Sequence, residues 1–167
     1  MRSNVIYCVP SGNFGNLTAS LMAKKMGLPM KQFIAATNIN DVVPQYLKTG
    51  KFVSRVSRET ISNAMDVGNP SNFARILDIY RGNYKKIAKD IVGISIGDKQ
   101  TRETIRNVYR KTKYVLDPHT AVGVAAAMNS GIKKSVIVLG TAHPAKFRDI
   151  VEPVIGKKIV LPRQLQA

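Results

Sequence analysis

An apolar run, Val5 to Val9, passes directly into PSGNFGN and then into LTASLMAKKM. A buried strand that stops at a proline, turns on glycines and enters a helix behind them fits few architectures. The commonest is the βα unit of an α/β fold, whose helix crosses back over a parallel sheet. The rest of the chain agrees: KQFIAAT and SVIVLG read as further buried strands, with helical patterns between them. The expected fold is α/β, a three-layer αβα arrangement with a mostly parallel sheet, in a single domain over 1–167. Residues 1–50 and 114–155 supply its α/β elements, and residues 70–113 form a helical excursion.

Local signals set the element ends. Asn16 is the expected cap of the first helix, with Leu17, Leu21 and Met22 on one face. Gly27 suits its left-handed stop, and Pro29 prevents continuation. Asn40 and Asp41 open a short helix that tolerates Pro44 near its first turn, and Gly50 closes it. In the excursion, Ile76, Leu77 and Tyr80, then Ile105, Val108 and Tyr109, have helical spacing, and YKKIAKDIVGIS reads as helix as well. Tyr114 to Leu116 reads as a strand leading to Asp117 as an N-cap and Pro118 at the first helical position. Small residues through Gly123, Ala125 and Ala127 allow that helix to approach the sheet closely. The tail PRQLQA is expected to fray.

Composition narrows the class. A chain of 167 residues with 44% hydrophobic and 22% charged residues has the make-up of a soluble globular domain. No stretch reaches the ~20 apolar residues of a membrane span. The start, MRSNVIYCVP, carries no secretory signal, and the single Cys8 has no internal disulfide partner, so the cytoplasm is the expected compartment. Charge is the outlier: 26 Lys+Arg against 10 Asp+Glu give +16. That excess raises a polyanion as partner. Yet the basic residues are dispersed, with no zinc-finger spacing, RNA-recognition signature or long basic run. A longer polypeptide holding the compensating acids accounts for the charge equally well.

The glycine-rich junction carries chemistry. It aims successive backbone N–H groups and the positive end of a helix dipole at one point, and phosphate is the usual occupant. Its glycines let the backbone approach oxygens without a Cβ in the way. The Lys-Ser/Thr of a nucleotide P-loop is absent, and the spacing is not GxGxxG. On spacing alone, a bare tight turn and a phosphate cradle both stay open.

Several segments together go further. SGNFGN, followed by LTASLMAKKMGLP and FIAATNIND, then SNAMDVGNPSNFARIL, DPHTAVGVAA and GTAHPAKF in that order, resembles the threonine synthase family of pyridoxal-phosphate (PLP) enzymes of fold type II. The resemblance covers nearly the whole chain. It implies that Ser11, Gly12, Asn13, Phe14, Gly15 and Asn16 bind the cofactor phosphate, chiefly through the backbone from Gly12 to Asn16. It also implies that Thr141 sets a hydroxyl beside the pyridine nitrogen. A neutral hydroxyl stabilises a pyridinium less than a carboxylate would, so the ring is a more moderate electron sink. The reaction implied is a carbon–oxygen lyase step: O-phosphohomoserine and water give threonine and phosphate, ending threonine biosynthesis.

Asn63, Asp66, His119 and Lys146 are candidates for substrate or phosphate contacts, each equally open to an ordinary structural role, while Met65 reads as core. No catalytic residue is assigned, because family members carry the Schiff-base lysine in an N-terminal region that no stretch here matches. The chain thus resembles the C-terminal part of the family's enzymes. On that basis it is expected to be inactive alone, to partner the remaining portion, and to self-associate through an exposed sheet edge. A non-catalytic phosphate- or PLP-binding module and a basic nucleic-acid-binding protein are the alternatives.

Overall fold

A computed structural model describes residues 5–161; the tail expected to fray, 162–167, lies outside the described residues. Four strands form one parallel sheet: β1 (Ile6–Pro10), β2 (Gln32–Thr37), β3 (Ile91–Ser95) and β4 (Val136–Val138), in the order β3-β2-β1-β4. Cys8 lies opposite Ile34 on one side and Val138 on the other, and Ala35 lies opposite Gly93. The helices are α1 (Gly15–Lys25), α2 (Val42–Thr49), α3 (Phe73–Ile79), α4 (Tyr84–Asp90), α5 (Asp98–Thr112), α6 (Pro118–Asn129) and α7 (Arg148–Ile155). Single 3-10 turns occupy Asn63–Met65 and Pro144–Phe147.

Strand side chains alternate between two cores. Val9, Phe33 and Ala35 point to the face covered by α1 to α4, where Leu17, Leu21, Val43 and Ile76 are buried. Ile6, Cys8, Ile34 and Ala36 point to the other face, against Val122, Ala125 and Ala126 of α6. A strand covered on both faces needs apolar residues at every position, which is why β2 reads as a continuous run rather than an alternation. Outside α6, helices α5 and α7 enclose a third cluster around Ile105, Leu116, Ala121 and Val151. The three layers expected from the sequence are therefore present.

Several local signals act as the sequence indicates. Gly27 takes φ 107, with its N–H on Lys24 O and that of Leu28 on Ala23 O, closing α1 in a Schellman pattern. Gly50 caps α2 at φ 74. Asp117 caps α6, its side chain accepting from the N–H of His119 and Thr120, with Pro118 inside the first turn. Gly123 lets α6 rest on the sheet, since a Cβ there would lie 2.8 Å from Val138 Cγ1 and 2.9 Å from Pro10 Cγ.

Three expectations change. The YKKIAKDIVGIS stretch is not one helix: α4 ends at Asp90 and the chain continues as β3, paired with β2. A short apolar run cannot be told from a buried helix segment by period alone. Gly93 held the clue, because α2 crosses so close that a Cβ there would sit 2.6 Å from Pro44 Cα. Tyr114 to Leu116 form no strand and have no sheet partner among the described residues; they are the link between α5 and α6, with Leu116 buried in the third cluster. The cap of α1 is Phe14, in the left-handed region at φ 61, and not Asn16. Burial of the Phe14 ring in the first core holds it there, and Gly15 starts the helix.

Candidate functional site

Because all four strands run parallel, their carboxyl ends share one rim, and loops leaving that rim converge there, as in other open α/β sheets. The loop after β1 and the segment after β4 line a cavity of about 360 Å³. Ser11, Gly12, Asn13, Phe14, Gly15 and Asn16 form one wall, and Thr141 and Lys146 belong to the other. His119 and the Ala64–Met65 turn complete it. Asn63 and Asp66 do not line it.

The loop's backbone donors are unspent. Ser11 gives its N–H to Ala36 O at 2.8 Å, and Thr18 gives its own to Phe14 O at 3.0 Å. Among the described residues, no N–H from Gly12 to Leu17 has a protein acceptor. Such a run of unpaired donors at the positive end of an eleven-residue helix needs an acceptor from solvent or a ligand. No carboxylate lines the cavity, and Lys146 adds a cation at its edge. The field there favours an anion.

The loop is also fixed from behind. Asn13 Oδ1 accepts from Ser71 N–H at 2.6 Å and from the Ser71 hydroxyl at 3.0 Å, and Asn72 Nδ2 donates to Asn13 O at 2.9 Å. The NPSN stretch therefore clamps the loop through the Asn13 carbonyl oxygens and leaves the Asn13 amide nitrogen available. Gly12 lies directly under the Ala64 carbonyl, where a Cβ would stand 2.6 Å from that oxygen. The Ser11 hydroxyl donates to Val9 O at 2.9 Å.

His119 is 3% exposed. Its Nδ1 is 3.0 Å from Asp117 Oδ1, and its Nε2 accepts the Ala64 N–H at 3.2 Å. Burial works to raise the Asp117 pKa, but bonds from the side chains and N–H groups of His119 and Thr120 prevail and hold the carboxyl below the usual range. Asp66 sits behind the cavity in a polar knot, accepting from Asn38 and Asn40 side chains and from Thr60 N–H and hydroxyl. It ties the segment that follows α2. Asn63 is exposed.

Besides Pro10, which sequence reasoning took only as the end of a strand, it missed three lining residues: Ala64, Phe147 and Ala142. They carry no chemical signature, and only the SNAMD and HPAKF stretches around them drew attention. Met65, read as core, is 3% exposed and faces the cavity as well as the second core cluster.

Residues 3–141 match the family described as pyridoxal-phosphate dependent enzyme, and residues 120–167 the family described as threonine synthase, C-terminal. Threonine synthase of Escherichia coli (strain K12) is 41% identical over 167 residues, covering 98% of this chain and 38% of that protein. The crystal structure of the Escherichia coli threonine synthase superposes with a TM-score of 0.89. PLP-bound threonine synthase from Brucella melitensis, 34% identical, also gives 0.89, over 98% of this chain and 40% of that one. The chain spans well under half the length of these relatives. A fungal L-serine ammonia-lyase from Rhizomucor miehei, at 16% identity and a TM-score of 0.64 over 90% of this chain and 51% of that one, shares the fold.

Proposed function

The chain belongs to the family of pyridoxal-phosphate-dependent enzymes, and we propose on that premise that it forms the phosphate and ring-nitrogen side of a threonine synthase site. The observation that carries the reading is the run of unpaired N–H groups from Gly12 to Leu17, open to a cavity free of carboxylates. The residues present fit the cofactor. Backbone donors from Gly12 to Asn16 would hold its phosphate, and the Thr141 hydroxyl would hold the ring nitrogen without adding charge. When bound, PLP supplies the electron sink that makes a proton on the substrate's Cα removable.

The chain's own residues then bind and orient. The cradle fixes one end of the cofactor, so that the reacting face is set by the walls rather than by diffusion. Phe147 and Met65 keep water from that end, and Lys146 offers a cation to a second phosphate, that of O-phosphohomoserine. The products are threonine and phosphate. Lys146 is the lysine among the lining residues, and no other described lysine reaches the cavity. The covalent lysine and the proton transfers at Cα and Cβ would come from the remaining part of the enzyme, docked on the β4 edge beside half-exposed Ile137. No helix among the described residues is long and apolar enough to cross a membrane.

The test is titration of the chain with PLP, borohydride reduction and mass mapping of any labelled lysine. Saturable binding without a unique adduct is the expected result, and substitution of Thr141 by Ala should weaken it. A single stoichiometric adduct would show that this chain holds its own Schiff-base lysine. Absence of saturable binding would refute the cofactor assignment.

A further inference from the structure

His119 faces the cavity, yet neither of its ring nitrogens is free for a ligand. Asp117 Oδ1 can only accept, so the proton lies on Nδ1, and Nε2 is left as a lone pair for the Ala64 N–H at 3.2 Å. The ring packs against Phe147 with centroids 4.8 Å apart, which fixes its plane. On the far side of Ala64, the carbonyl of the same residue presses on Gly12. Asp117, His119, Ala64 and Gly12 thus form one chain of contacts joining three segments distant in sequence.

The ends of this turn are anchored elsewhere, Ser62 by Asn38, Met65 by burial in the second core and Asp66 by its knot with Asn38, Asn40 and Thr60, but its crest at Ala64 is not. Asn63 and Ala64 are exposed, and the turn's own backbone bonds, Met65 N–H to Ser62 O and Asp66 N–H to Asn63 O, are local. The His119 bond is the long-range hydrogen bond to Ala64 among the described residues, spanning 55 positions. If the turn lifts, the wall over Gly12 opens and the cradle loses its lid of backbone.

We infer that His119 is a positioning residue: its Nε2 holds the Ala64–Met65 turn against the glycine-rich loop, and it neither contacts nor protonates the bound anion. Asp117 has two tasks in this arrangement, capping α6 and setting the imidazole tautomer. The inference rests on the cofactor reading above for the identity of the anion, but the holding action itself does not depend on that identity.

The experiment compares His119→Leu and His119→Gln in the full chain, with two readouts. Amide exchange at Ala64 is measured without ligand, and PLP affinity is measured by equilibrium dialysis. Leucine fills space but cannot accept, whereas the glutamine side-chain oxygen can take the Ala64 N–H. Loss of one hydrogen bond corresponds to roughly two- to tenfold. His119→Leu should therefore speed Ala64 exchange and weaken PLP binding by about that factor, and His119→Gln should restore both. Unchanged Ala64 exchange in His119→Leu overturns the holding role. A glutamine variant that folds but binds PLP as poorly as the leucine variant overturns it too, since the imidazole itself would then be the contact.

Imidazole nitrogen NMR of the unsubstituted chain gives a measure that needs no variant. The Nδ1–H tautomer should be present with and without PLP. A change on PLP addition to an Nε2–H or doubly protonated ring makes His119 a ligand and refutes the inference. Failure of the unsubstituted chain to take up PLP at all removes the cofactor reading, and Ala64 exchange then still decides whether His119 holds the turn.

Discussion

Replacing Gly12 by alanine is the sharpest test of how the cradle is built. The new Cβ would stand 2.6 Å from Ala64 O and 2.7 Å from Met65 Cα, where ordinary contact begins near 3.4 Å. Both neighbours are backbone, so no rotamer change relieves the clash. The turn over the loop must retreat by most of an ångström, or the loop must sink. Overpacking of this kind costs about 1–3 kcal/mol. For a domain of this size each kcal/mol lowers Tm by about 2–4 °C, giving an expected fall of about 2–12 °C. Gly15, three residues on, is the internal control. A Cβ there meets nothing nearer than Asn72 Nδ2 at 3.7 Å, and Gly15 is the first residue of α1. Gly15→Ala should hold or gain stability, by about 0.4–1 kcal/mol, through a less flexible unfolded chain. Urea unfolding followed by circular dichroism, with unchanged m-values, separates the two. A Gly12→Ala chain as stable as the parent, or a Gly15→Ala chain that loses as much, would refute the close approach of Ala64 to the loop.

Two further outcomes follow from buried titratable groups. Hydrogen bonds hold the folded Asp117 pKa below its unfolded value, so the stability it contributes is present above about pH 3.9 and is lost as pH falls through the folded value. Asp117→Asn should flatten the acid limb of a Tm-against-pH profile, and an acid limb parallel to the parent's would contradict this account. Cys8 is fully buried in β1, and burial pushes its thiol up to about 12. It should resist iodoacetamide at about pH 8 until denaturant is added; equal labelling rates with and without denaturant would show that β1 is open.

Much of this protein was legible in the sequence because many of its devices are local. Asp117 and Pro118 start α6 through bonds within two or three residues, and Gly27 and Gly50 stop their helices by adopting backbone angles that other residues avoid. The glycine-rich loop declares itself by residue type, since a run of free N–H groups needs residues that keep the backbone accessible. The matched motifs carried the family, and Ser11 to Asn16 and Thr141, which they single out, line one cavity. Where partners are remote, the sequence was silent or misleading. Ile91 to Ser95 became a strand because β2 offered an edge and α2 a close crossing, and neither is visible from YKKIAKDIVGIS itself. Asp66 turned away from the cavity into a knot with Asn38, Asn40 and Thr60, and His119 found its acceptor role 55 residues away at Ala64. Caps and turns are set by neighbours in the chain, so their energies are written in the local sequence. Strand pairing and the tautomer of a buried imidazole depend on which groups the completed fold brings within hydrogen-bond distance, and only the tertiary structure decides that.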